Sequence, residues 1–232
     1  MSLQEAVYAG PRFTTSVTSG AKPQESVRSA QDSNLWQFEE DARQKGHILI
    51  AGIDEAGRGP LAGPVVSAAV ILPPDFRPNG ITDSKKLSEK KRDGFFDYIM
   101  ENALHVGIGI ADHEEIDEMN ILRASLYSMQ KAVNALSQSP DFLLIDGIFP
   151  IDSSVPQLPI KKGDSRSISI ASASIIAKVT RDRMMDEYDS LYPEYGFKAH
   201  KGYPTASHRA AIIRSGPSPI HRKTFKGVKE YV

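Results

Sequence analysis

The sequence predicts an α/β protein built on a mixed sheet. Three observations carry this. Short apolar runs rich in β-branched residues alternate with longer segments of helical spacing, which implies a sheet with helices packed on it. The first two runs follow each other with only a loop between them, so the sheet is not purely parallel. Two of the runs end in acids, at the place where open α/β sheets put their sites.

The elements follow in order. Residues 1–33 are rich in Ser, Thr, Gln, Gly and Pro with apolar residues scattered singly, and read as a mobile extension. A single domain is expected over residues 34–232. It opens with a short helix whose apolar side is Leu35, Trp36, Phe38 and Ala42, stopped by Gly46. Residues 48–53 and 65–72 are strands separated by a loop punctuated by Gly57, Gly59, Pro60, Gly63 and Pro64. Residues 88–103 are a helix and 106–110 a strand. One helix then carries the stripe Met119, Leu122, Leu126, Met129, Val133, Leu136, with steps of three and four that mark a core face. Strands at 142–145 and, more weakly, 157–161 come next. Helices over 167–188 and 205–214 complete the order β-β-α-β-α-β-β-α-α.

Composition excludes several classes of function. The 232 residues are 40% hydrophobic and 25% charged, ordinary for a globular chain with a full core. No apolar run approaches the ~18 residues of a membrane span, and no secretory signal opens the chain. With no cysteine there is neither a thiolate nucleophile nor a cysteine-based zinc site. A cytoplasmic monomer without membrane attachment is the expectation. Twenty-eight basic against 29 acidic residues give a net charge of −1, which rules out a globally basic coat but not a local patch.

Such a patch is present. From Gly196 onward Lys198, Lys201, Arg209, Arg214, Arg222, Lys223, Lys226 and Lys229 face one acid, Glu230, with Phe197, Tyr203, Phe225 and Tyr231 interleaved. This basic segment, about residues 190–232, reads as a surface for nucleic-acid backbone, with Lys223 among its contacts. A solvated basic tail is the alternative. His200 and His208 lack zinc spacing and read as polar loop or helix residues. The acids Asp112, Glu114, Glu115, Asp117 and Glu118 open a helix, where the macrodipole favours them, and receive no catalytic role.

The chemistry centres on the strand ends. Residues 48–53 run into Asp54-Glu55 and residues 142–145 into Asp146-Gly147. If these strands are parallel neighbours, both acids share one carboxyl edge. Because alternate strand residues face opposite ways, the chain is expected to turn at Glu55 so that Asp54 and Glu55 can share a site. Converging carboxylates stay ionised only beside a cation, and an all-oxygen donor set favours Mg²⁺ or Mn²⁺. The bland alternative is that Asp146 starts an Asp-Gly turn and Asp54 caps a loop. Asp164, just before a long helix, is by default an N-cap unless its loop approaches the other two acids. Gly57-Arg58-Gly59 is neither a P-loop nor a dinucleotide fingerprint, and acids just before it suit metal-assisted phosphodiester chemistry.

The run Gly52-Ile53-Asp54-Glu55-Ala56-Gly57-Arg58-Gly59-Pro60-Leu61-Ala62-Gly63-Pro64-Val65 resembles the signature of the type 2 ribonuclease H family, the bacterial ribonuclease HII enzymes. Asp83-Ser84-Lys85-Lys86-Leu87, Asp146-Gly147, Lys162-Gly163-Asp164, residues 171–183 and His200-Lys201-Gly202-Tyr203-Pro204-Thr205 resemble its later motifs in order. The likeness runs from about Phe38 to the C-terminus and leaves the extension outside.

The resemblance implies a ribonuclease H-like fold: a central mixed five-stranded sheet flanked by helices, with a helical C-terminal part. It implies a two-ion Mg²⁺ or Mn²⁺ site on Asp54, Glu55, Asp146 and Asp164. Gly57, Arg58 and Gly59 would grip the ribonucleotide at the cleavage point, Tyr203 would sense the neighbouring sugar, and Lys85 is a further expected substrate contact. RNA–DNA hybrids and duplex DNA carrying single ribonucleotides are the implied substrates. Two rivals stay open on the residues alone: a ribonuclease H-like nuclease that cuts DNA, such as an integrase or resolvase, and a hybrid-binding module whose acids are structural.

Overall fold

The computed structural model describes residues 35–81, 84 and 87–232. The expected extension, residues 1–33, and Lys85 lie outside the described residues.

Helix α1 (Gln37–Gln44) leads into strand β1 (Ile50–Ala56), which pairs antiparallel with β2 (Val65–Ile71). Helix α2 (Glu89–Asn102), capped by Ser88, precedes β3 (His105–Ala111), antiparallel to β2. After two helices come β4 (Phe142–Asp146), parallel to β1, and β5 (Gln157–Ile160), parallel to β4. The five-stranded sheet has the order β3-β2-β1-β4-β5, mixed as the hairpin-like first pair requires.

Three sequence expectations are corrected. The chain does not turn at Glu55: Glu55 pairs with Ser67 and Ala56 with Val66, so β1 keeps its ladder until Gly57 leaves it at φ +106°. The single helix through Leu136 is two, α3 (His113–Met119) and α4 (Ile121–Asn134). Asn120 separates them at φ +69°, and its side chain accepts from the Leu122 and Arg123 amides to cap the second. Asp112 and Glu115 form a capping box on the first, a structural use of the acid cluster. Finally, Asp164 is not the N-cap of the long helix α5 (Ile168–Leu191); Ser167 is, accepting from the Ile170 amide.

Helix α5 is buried along much of its length because it lies under the sheet and against α2. Its Ile168, Ala171, Ile175 and Ile176 pack with Ala68 and Val70 on one sheet face. On the other face Met129, Ala132 and Val133 of α4 meet Ala51, Ile53, Ala69 and Ile71. The period of two along each strand thus decides which helix a residue meets. Beyond α5, short helices α6 (Phe197–His200) and α7 (Ala206–Ser215) form the C-terminal part. Among the described residues, no helix is long and apolar enough to cross a membrane.

Candidate active site

Strands β1 and β4 run parallel with Ile53 opposite Ile145, and the next residue on each is an acid, Asp54 and Asp146. Alternation assigns both to the α5 face. Gly52, two before Asp54, lies so close to Ser169 that a side chain there would meet its backbone. Leu144, two before Asp146, packs against Ile170. The acids therefore share one face at one carboxyl edge.

A third acid joins them. The Gly163 amide donates to Asp146 Oδ1 across 2.6 Å, drawing the 3-10 turn Gly163–Ser165 onto the end of β4. Asp164 sits in that turn, 8% exposed. Glu55 points to the other face by alternation, but from the strand end its charge still reaches Asp54. Burial, then the charges of Glu55 and Asp146, pushes the Asp54 carboxyl well above the usual carboxylate range. The Ser174 side chain and the Glu55 amide, 2.7 Å from Asp54 Oδ1, oppose that shift. Exposed Arg58 pairs with Glu55 at 3.4 Å, a weak screen for so much negative charge.

Among the described residues no three acidic or histidine side chains close on one point as a finished ligand shell. The donor chemistry nevertheless fits a hard divalent ion. The available donors are carboxylate oxygens, and a cation at the edge would offset the charges of Glu55 and Asp146 that, after burial, raise Asp54. Ser84 extends the site: its hydroxyl lies 2.9 Å from that of Ser174, while Arg92 Nη1 holds the Ser84 and Leu87 carbonyls.

The loop after β1 is clamped from behind. A side chain on Gly57 would collide with Arg181, so glycine is required there by space as well as by φ. Arg222 Nη2 donates to Gly57 O (2.6 Å) and Pro64 O (3.2 Å), Nη1 to Arg58 O (3.1 Å) and Pro60 O (2.8 Å), and Nε to Gly63 O (2.9 Å). Arg181 donates to the carbonyls of Pro64, Ala62 and Lys201. Burial lowers Arg222 to about 9 and Arg181 to about 10, so both remain charged at neutral pH. Arg58 and Gly59 themselves are exposed, and the Tyr203 ring stands beside Gly59, 3.4 Å from where a Cβ would be.

The basic segment is only partly a surface. Arg222 and Phe197 are wholly buried, and Phe225 packs beneath the Arg222 guanidinium. Lys201 is engaged with Asp186. Lys198, Arg209, Arg214, Lys223, Lys226 and Lys229 are exposed, and of the aromatics Tyr203 and Tyr231 are. Asp117 anchors the segment by accepting from the Lys223 and Thr224 amides and from the Thr224 hydroxyl.

His208 is a helix residue, on α7, and is fully buried there. Its Nε2 lies 3.0 Å from His221 Nε2, and both rings are fully buried. Burial, which penalises the charged imidazolium, is the main reason both fall to about 4. His208 Nδ1 meets the Tyr203 carbonyl at 3.0 Å, so the pair braces the Tyr203 loop.

A mixed five-stranded sheet with helices on both faces, and acids gathered at the carboxyl edge of its central parallel pair, defines a ribonuclease H-like protein. A family model described as Ribonuclease HII matches residues 51–228. The chain is 61% identical to a ribonuclease HII of Geobacter sulfurreducens over 198 residues, 85% of this chain and 91% of that one. It is 53% identical to one of Clostridioides difficile over 207 residues, covering 88% and 81%. The ribonuclease H2 structure from Pyrococcus horikoshii matches with TM-score 0.67 at 27% identity, over 79% of this chain and 97% of that one. The chain belongs to the ribonuclease HII family and is an endonuclease that hydrolyses phosphodiester bonds.

Proposed function

We propose that this enzyme hydrolyses the RNA strand of RNA–DNA hybrids and cuts 5′ of single ribonucleotides embedded in duplex DNA, leaving 3′-hydroxyl and 5′-phosphate ends. The observation that carries the proposal is the shared edge of Asp54 and Asp146, with Asp164 tied in through Gly163. Asp54, Asp146 and Asp164 would hold two divalent ions, Mg²⁺ or Mn²⁺, with Glu55, whose charge reaches Asp54 from the strand end, completing the acid set. Such ions supply Lewis acidity at a phosphate and lower the pKa of water.

The chain's own residues do the rest. The carboxylates fix where such ions would sit at the edge, since their own negative charge, crowded enough to raise Asp54, repels a bare phosphate. Gly57, Arg58 and Gly59 offer backbone groups to the ribose 2′-hydroxyl, the one group that separates it from deoxyribose. A site built to bond a hydroxyl rejects an analogue lacking it, because its own polar groups are then left unpaired. Tyr203 packs its ring against the neighbouring sugar. Lys85 and Lys223 contact the backbone of the duplex.

The test uses labelled duplex DNA with one ribonucleotide, the matching all-DNA duplex and an RNA–DNA hybrid, each with Mg²⁺ and then with EDTA. The proposal requires metal-dependent cutting of the first and third, with the stated ends at nucleotide resolution. Cutting of the all-DNA duplex, or cutting that survives EDTA, contradicts it.

A further inference from the structure

The carbonyls of the loop after β1 turn inward, and one buried side chain receives them. All five N–H bonds of Arg222 point to backbone oxygens between Gly57 and Pro64, more than 150 residues earlier in the chain. No acid is among these partners. A guanidinium is a planar fork, so five acceptors around it have their positions fixed relative to one another.

The consequence for the loop follows from peptide geometry. In a trans peptide the carbonyl of one residue and the N–H of the next point to opposite sides of one plane. The Gly57 and Arg58 carbonyls bond to Arg222, so the Arg58 and Gly59 amides face away from it. Those two residues are exposed, beside the Tyr203 ring. Successive amides turned outward form a concavity for an electronegative oxygen. Arg181 couples the two halves, since it bonds Pro64 and Ala62 on one side and Lys201, two residues before Tyr203, on the other.

We infer that Arg222 is a positioning residue for sugar discrimination: it never meets the substrate, but it sets the peptide planes of the Gly57-Arg58-Gly59 loop that read the 2′-hydroxyl. This rests on the assignment of that loop as the sugar reader. It also removes Arg222 from the phosphate-contacting surface to which its charge alone would assign it. The role demands the fork rather than the charge, so lysine cannot fill it.

The experiment compares wild type, Arg222→Lys and Phe225→Leu in Mg²⁺. Phe225→Leu keeps the guanidinium but removes the ring stacked 5.1 Å beneath it. Each protein is assayed for KM and kcat on a duplex with one ribonucleotide, and for the Ki of the same duplex lacking that single hydroxyl. The ratio of Ki to KM reports discrimination. A purely structural loss weakens both duplexes alike and leaves the ratio unchanged. Arg222→Lys is expected to lower the ratio about tenfold, the effect of about one well-made hydrogen bond, with Ki near the wild-type value. Phe225→Leu is expected to lower it severalfold in the same direction, and it decides the matter if Arg222→Lys does not fold. A wild-type ratio near one would overturn the assignment of the loop itself. A large wild-type ratio kept by the folded variants would overturn the role of Arg222 alone.

Discussion

Gly163 and Asp146 are joined by a 2.6 Å hydrogen bond from the glycine amide to Asp146 Oδ1, across seventeen positions of sequence. That bond converts two strand-end acids into a three-acid edge, because it seats the turn carrying Asp164 on the end of β4. It also separates two properties of Asp146: as an acceptor it holds the turn, and as a charge it serves the chemistry.

Asp146→Asn tests that separation. An asparagine oxygen can still accept from Gly163, so the melting temperature should stay near wild type while kcat falls by two or more orders of magnitude. Near-normal cleavage by the folded variant would remove Asp146 from the site.

Tyr203→Ala should reduce cleavage of a single-ribonucleotide duplex more than it reduces duplex affinity, since the exposed ring lies beside Gly59 and its loop is braced separately by His208. Cleavage rates and binding constants measured on one substrate provide the comparison. Equal losses in both would reduce Tyr203 to a general contact.

The exposed lysines of the C-terminal segment should contribute affinity without chemistry. The Lys223 amide is held by Asp117, leaving its side chain exposed. Replacing Lys223 and Lys226 by glutamine should lower the salt slope of binding by about one for each phosphate that a lysine no longer neutralises. An unchanged slope would make them a solvated tail.

His208 and His221 should stay neutral far into the acid range. Their folded pKa values, lowered to about 4, lie below the ~6.5 of an unfolded histidine. The unfolded chain thus binds more protons between those values, and the pair's contribution to stability, full above pH 6.5, is lost as pH falls toward 4. Asp54, whose carboxyl is raised, acts in the opposite sense, so bulk unfolding mixes the two. Imidazole NMR shifts read the rings directly, and both should be unchanged from pH 7 to about 5. A ring titrating near 6.5 would contradict its burial.

The strand-end logic is legible in the sequence because it depends on order and alternation alone. Two apolar runs ending in acids suffice to place Asp54 and Asp146, and the parallel β1–β4 pair does bring them together. The turn expected at Glu55 fails because pairing with Ser67 and Val66 carries the strand past it. Arg222 and Phe197 read as surface residues for a related reason. Composition records a charge or a ring, whereas burial depends on partners, and those of Arg222 are carbonyls that every residue type carries. The His208–His221 contact likewise has no sequence signal beyond two histidines thirteen apart. For Asp164, the default of an N-cap gives way to Ser167, which lies three residues closer to the helix.

Divalent ions acting at the acid edge are the centre of the proposed mechanism. Crystals soaked in Mn²⁺ and measured at the manganese absorption edge test this directly. Anomalous peaks should lie within bonding distance of the Asp54, Asp146 and Asp164 carboxylates and disappear in Asp146→Asn crystals. Manganese found only elsewhere, in an enzyme that still requires it for cleavage, would contradict that placement.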